Sequence, residues 1–360
     1  MKSTILRRLA VLAIAPALVA CSSSDGKSAE KDTGPNAPQR AAVVWLSDQR
    51  GDDDLFTSHF TDVETGDVTP FVDYGLNLDL YAALTDLGDP KTAEKVYRAT
   101  LAHADDYTDP PGGTRYAGAL AKLAAMVQAH GDDANAVGSR HLIDELEALV
   151  VPTGAETGRA KDAPDGKFQS TSVLNQAWTV QALATAKSDD ADAAVGFLLK
   201  QQCDDGSFRE DMASKPCTDG PGSVDGTAFA IQSLQVAADQ GSSGLDDDID
   251  EAAEWLVRTQ ADDGSFSDAG GPNSNSTGQA AAALALTGHQ RPARRAATWL
   301  AGLQVDGGPE KGAIAVNAAD LSAAAGTTVA KADRDRYVRA SVQAVLGLDA
   351  LPAGPTTGSR

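Results

Sequence analysis

The chain has 360 residues, of which 42% are hydrophobic and only 5% aromatic, so its core must be built mainly from Ala, Leu and Val. Small apolar faces of that kind suit closely packed helices. The net charge of −21 repels nucleic acid and anionic headgroups, which excludes nucleic-acid binding and favours a protein kept soluble outside the cell.

Lys2, Arg7 and Arg8 precede an apolar run, Leu9 to Ala20, of signal-peptide length and too short for a comfortable membrane span. The run ends Leu18-Val19-Ala20-Cys21, which resembles a bacterial lipoprotein lipobox. That resemblance implies loss of residues 1–20, lipidation of Cys21 and anchoring on the outer face of the bacterial cell membrane. The other reading is an ordinary secretory signal with an incidental Cys. Residues 21–40 are polar and read as a flexible tether. The remaining cysteines, Cys203 and Cys217, flank one loop and read as a disulfide in an exported chain. A zinc site would need further Cys or His nearby, and the five His residues are scattered, so no metal and no cofactor is expected.

The remainder reads as helices taken in pairs. Ala41 to Gln49 looks like a first outer helix, followed after a polar stretch by an apolar helix from Asp73 to about Gly88. Further pairs are expected at 91–104 with 114–130, 137–150 with 172–186, 189–202 with 224–238, 247–260 with 274–286, and 292–304 with 314–325. A last helix at 335–348 is expected to pack on the end, and 349–360 to be a loose tail. The first helices are amphipathic, whereas the second are nearly free of charge and so should be buried on all sides. An inner ring of six within an outer ring of six meets that demand, so an all-α α6/α6 toroid over 41–348 is favoured over an open solenoid.

A motif repeats between the helices of a pair. Gln202 leads to Asp205-Gly206-Ser207-Phe208, and Gln260, after Trp255-Leu256, leads to Asp263-Gly264-Ser265-Phe266. Looser copies lie at Asp165 to Phe168 and at Gln304 to Gly308. This pattern resembles the repeat of the terpenoid cyclase and protein prenyltransferase superfamily, whose fold is the α/α toroid. The Gln can bond loop backbone, the Gly supplies a positive φ, and the aromatic locks the turn, so these residues are braces between repeats and not site residues.

The superfamily's catalytic motifs transfer poorly. Class II cyclases protonate an alkene or epoxide with the middle Asp of Asp-x-Asp-Asp-Thr-Ala. Here the match is Ser223-Val224-Asp225-Gly226-Thr227-Ala228, which keeps Asp225 on the proton donor but lacks both flanking acids. A helix N-cap is the competing reading of Asp225 and is favoured by that loss. Asp246-Asp247-Asp248-Ile249-Asp250 formally contains the Asp-Asp-x-x-Asp of class I synthases but opens an outer helix, where acids suit the helix dipole. The zinc ligands of prenyltransferases and the thioester segment of complement proteins are missing.

The expected function is therefore a non-catalytic toroid binding a small molecule or an envelope protein, and a diverged cyclase using Asp225 as acid is the alternative. The ligand would sit where the inner helices begin, near Tyr74, Asn77, Asp79, Tyr116, Asn175, Trp178, Asp225, Phe229, Asn275, Gln279 and Asn317. Helix N-termini converging there suggest an anion or another polar ligand.

Overall fold

A computed structural model describes residues 35–352, apart from 63, 165–168, 170, 171 and 269. The signal segment, Cys21, most of the tether and the loose motif at 165–168 lie outside the described residues. The first helix, α1 (Ala37–Ser47), opens inside the expected tether. Asn36 and Gln39 form a reciprocal capping box, and Pro38 stands in the first turn, so the chain is already committed to helix there. A hairpin of β1 (Ser58–Thr61) and β2 (Val68–Phe71) follows, with Ser58 opposite Phe71. It corrects the all-α reading, as does the small β3 (Ser267–Asp268) and β4 (Gly271–Pro272) pair later in the chain.

The remaining helices are α2 (Tyr74–Asp86), α3 (Pro90–Leu101), α4 (Ala104–Thr108), α5 (Ala117–His130), α6 (Leu142–Glu147), α7 (Val173–Ala186), α8 (Ala191–Leu199), α9 (Val224–Gln240), α10 (Asp246–Thr259), α11 (Ser274–Leu286), α12 (Gln290–Ala301), α13 (Ala318–Ala324) and α14 (Lys331–Gly347). Helices α2, α5, α7, α9, α11 and α14 pack each against the next, and α14 returns to α2. Small residues let them approach: a Cβ at Gly278 on α11 would lie 2.5 Å from the Gln343 carbonyl oxygen on α14. The others, including α1, α3, α8, α10 and α12, lie outside with one apolar stripe inward.

The ring closes with a different helix from the one expected. Residues 313–316 are not helical, Ala313, Ile314 and Ala315 are buried, and α13 is short and half exposed. The helix expected to cap the end is α14, which takes the inner position instead. Its charges concealed this. Arg334 pairs with Glu310, Arg336 with Asp320, and Arg339 with Asp335 and Asp73, so the charged first half of α14 is satisfied by its neighbours. Nor is the start of the tail loose: Asn36 donates to the Leu348 carbonyl at 2.7 Å and Gln39 to Asp349 at 2.5 Å, tying both ends of the fold together.

The repeated motif is a brace, and the hydrogen bonds show how. The Gln202 amide donates to Gly206 within its own turn and to Asp248 on the next outer helix. Gln260 does the same with Gly264 and Pro292, and Gln304 with Gly312 and Pro38. The Trp of each following helix donates back to an acid of the turn: Trp255 to Asp205, Trp299 to Asp263 and Trp45 to Glu310. The aromatic's backbone N–H is held by the inner helix, Phe208 by Thr227 and Phe266 by Thr277, each at 2.9 Å. Ile314 and Ser341 repeat this on α14, which fixes that helix as the equivalent of α9 and α11. Thus the glycine of the third brace is Gly312, not the Gly307-Gly308 pair expected. In the repeat before α8, Gln176 on α7 bridges the Gly158 and Ala194 carbonyls.

The expected disulfide is formed between Cys203 and Cys217, pinning the loop before α9. No described helix is long and apolar enough to cross a membrane.

Candidate functional site

All six ring helices contribute to a cavity at the centre. It holds about 110 Å³ and is walled by Asp79, Lys122, Trp178, Phe229, Gln279 and Gln343 among others. Of the expected residues, Asp79, Trp178, Phe229 and Gln279 meet here. Lys122 was missed, although a lone cation inside the otherwise apolar α5 is itself a signal. Its ammonium lies 2.6 Å from Asp79, donates to the Gly75 carbonyl at 3.0 Å and sits 5.6 Å from the centre of the Trp178 ring. Trp178 in turn tilts against Phe229, with centroids 6.1 Å apart. The space is therefore narrow, and its cation-binding ring already serves a lysine.

A second cavity of about 380 Å³ opens at the start of α9 and α11. It is lined by Glu210, Asp225, Asp268, Asn273, Ser276 and Asn317, with Leu174 shared between the two spaces. This volume is within the range of small-molecule sites, and the central one is below it.

Asp225 is not the cap of α9. Ser223 fills that role, its hydroxyl accepting from the Gly226 N–H at 3.0 Å. The Asp268 carboxylate accepts from the Ser223 hydroxyl at 2.8 Å and from the Asp225 N–H at 3.1 Å. The Asp225 and Gly226 N–H groups of α9 are thus already occupied, and carboxylates crowd the approach to this helix start. Of the anion or other polar ligand expected at these helix ends, the surrounding carboxylates disfavour the anion. Burial pushes the Asp225 carboxyl up to about 6, the Asp268 and Glu210 charges push the same way, and the Ser276 hydroxyl pulls it back. Asp225 therefore carries its proton at mildly acidic pH. Among the described residues no group of three His, Cys, Asp or Glu is spaced to hold a metal ion.

Of the other expected residues, Asn317 lines the mouth and the rest converge on neither space. Asn77 is buried and exchanges hydrogen bonds with the Phe56 backbone, a structural role. Tyr74 stacks on His103, and Tyr116 is exposed. Asn175 packs against Gly118. Asn273 caps α11, and the Asn275 amide donates to the Gln343 side-chain oxygen at 2.6 Å. Asn317 caps α13 while lining the mouth.

No family model and no curated protein matches the chain. Solved structures do. A protein from Actinoplanes superposes with a TM-score of 0.60 at 13% identity, covering 87% of this chain and 98% of its own. The apo type II terpene cyclase MstE from Scytonema gives 0.57 at 12% identity, covering 87% and 96%. An unsaturated glucuronyl hydrolase specific for heparin gives 0.56 at 12% identity, covering 87% and 95%. The chain has a terpenoid cyclase-like fold. At such identities the likeness extends to the fold alone, and a glycan hydrolase and a terpene cyclase both share it, so the chemistry must be argued from the residues.

Proposed function

We propose that the chain is an exported, lipid-anchored α6/α6 toroid of six helical hairpins that binds a small polar molecule at its acidic mouth without transforming it. The carrying observation is the contrast between the two spaces. The mouth offers about 380 Å³ with Glu210, Asp225 and Asp268 facing it, which suits a cationic or donor-rich ligand. The centre offers about 110 Å³ and already holds the Lys122–Asp79 pair. A carbocation about 5 Å from an ammonium, at an effective dielectric near 20, would be raised by about 3 kcal/mol. That argues against a cyclization routed through the centre. The acidic mouth equally suits a basic side chain of an envelope protein. Lipid anchoring rests on the sequence at Cys21, and export is consistent with the disulfide.

Thermal shift with spermidine, glucosamine and glucuronate tests the mouth. The two cations should raise the melting temperature of the wild type and not of an Asp225→Asn, Asp268→Asn double variant, and glucuronate should raise neither. Equal stabilization by the anion would sink the proposal.

One observation favours the second reading, a class II cyclase. Burial keeps the Asp225 carboxyl protonated to a higher pH than a free carboxyl, which a proton donor requires. Incubation with squalene and with geranylgeranyl diphosphate, for wild type and Asp225→Asn, separates the two. Product formed by the wild type alone would establish the enzyme.

A further inference from the structure

The brace contacts place α10 and α12 in register. The Gly206 turn abuts the Glu251 carbonyl on α10, and the Gly264 turn abuts the Arg295 carbonyl on α12. Gln202 reaches Asp248 as Gln260 reaches Pro292, and Trp255 and Trp299 answer in the same way. Glu251 and Arg295 therefore hold one position on successive outer helices. Counting back by equal steps pairs Asp250 with Arg294 and Asp247 with Arg291. At three equivalent exposed positions the charge is reversed. The six side chains form no ion pairs with one another among the described residues, and Arg295 reaches only the Gln260 amide.

We infer that the face formed by α10 and α12 binds a second copy of this chain through a twofold axis running between the two helices. Such an axis, parallel to both helices, carries α10 of one copy onto α12 of the other at unchanged height. Asp247, Asp250 and Glu251 then meet Arg291, Arg294 and Arg295 of the second copy, and the symmetry repeats the set. An extended polyanion fits this face less well, because the acids of α10 border the arginines. A second copy brings both signs in the required order. Burial raises the Asp248 carboxyl, and the neighbouring Glu251 and Asp247 charges raise it further, a crowding that the partner's arginines would relieve. The pairs are exposed and each chain carries −21, so the dimer is weak and sensitive to salt.

Sedimentation of the full chain, with two reciprocal variants, tests this. One carries Arg291→Glu, Arg294→Glu and Arg295→Glu, and the other Asp247→Arg, Asp250→Arg and Glu251→Arg. In about 0.15 M salt, where screening sets in near 8 Å, the wild type should shift toward dimer as concentration rises, and in about 1 M salt it should not. Each variant alone should be monomeric. Their equimolar mixture should recover the dimer, because the all-acidic face of one variant then meets the all-basic face of the other and restores opposite charges at every position. Circular dichroism shows whether each variant folds, and the single changes Arg294→Glu and Asp250→Arg serve if a triple variant does not. A wild type that stays monomeric up to about 0.5 mM, or folded variants that fail to associate on mixing, would overturn the inference.

Discussion

The Lys122 ammonium and the Asp79 carboxylate meet at 2.6 Å in the centre of the helical ring, beneath the face of Trp178. Both groups are partly shielded, so removing one strands the other in a poorly solvated space. Lys122→Met should destabilize the fold by about 1–2 kcal/mol, a figure discounted for the access that solvent retains to Asp79. Adding Asp79→Leu should recover most of the loss. Urea unfolding of the three proteins measures this. A double variant as weak as the single one would show that the pair is not the source of the effect.

Glu310 joins the last repeat to the first. It is 1% exposed and accepts from the Trp45 indole at 2.9 Å, the Val329 N–H at 2.9 Å and the Arg334 guanidinium. Burial alone would raise its carboxyl, but these donors outweigh it and hold the group below the usual range. Its stabilization is therefore complete above the unfolded value and is lost as pH falls through the lower folded one. Glu310→Ala should cost about 3 kcal/mol at neutral pH, with the difference from wild type shrinking in acid. Chemical denaturation from neutral to acid pH gives both numbers.

Asp225 has the opposite sign. Its folded value of about 6 lies above the ordinary 3.8, so folding favours the protonated form. The penalty is absent below the unfolded value, grows as pH rises toward 6 and is full above it. Asp225→Asn should therefore stabilize the protein by about 3 kcal/mol at pH 8 and by little at pH 4. Melts of both proteins across that range should diverge with increasing pH, and parallel curves would show that the carboxyl is not held up by burial.

At Gly206 two constraints coincide. Its φ of +87° disfavours any side chain, and an added Cβ would lie 2.4 Å from the Glu251 carbonyl oxygen. Gly206→Ala should cost more than 2 kcal/mol, since the left-handed conformation accounts for about 1 kcal/mol and the backbone contact cannot move cheaply. Gly196→Ala on α8, where a Cβ meets nothing within 4 Å, should be neutral or slightly stabilizing. The contrast in unfolding midpoints isolates the brace from the general effect of replacing glycine.

The braces were legible because they are local: Gln202 to Phe208 and Gln260 to Phe266 spell out a turn whose partners follow at fixed spacing. The same logic placed the inner helices from Val173 to Leu286 within a few residues. It misassigned α14 because lack of charge was used as the mark of an inner helix. Arg334, Arg336 and Arg339 find partners from Asp73, Glu310 and Asp320, distant in sequence, and no local pattern reveals those. At the candidate site, Asp79, Trp178, Phe229 and Gln279 were found from helix position. The mouth acids Glu210 and Asp268 were not, since they come from loops whose paths are set by the disulfide-pinned segment and by the β3–β4 turn. Asp225 was noticed but given Ser223's role, since both residues suit a helix start and only the geometry separates them.

Native mass spectrometry of the full chain purified from its own host, beside Asp225→Asn, tests the central claim most directly. The account predicts a small polar or cationic molecule bound to the wild type and lost or reduced in the variant. A wild type that carries a cyclized isoprenoid, or one that turns such a precursor over while Asp225→Asn does not, would contradict it.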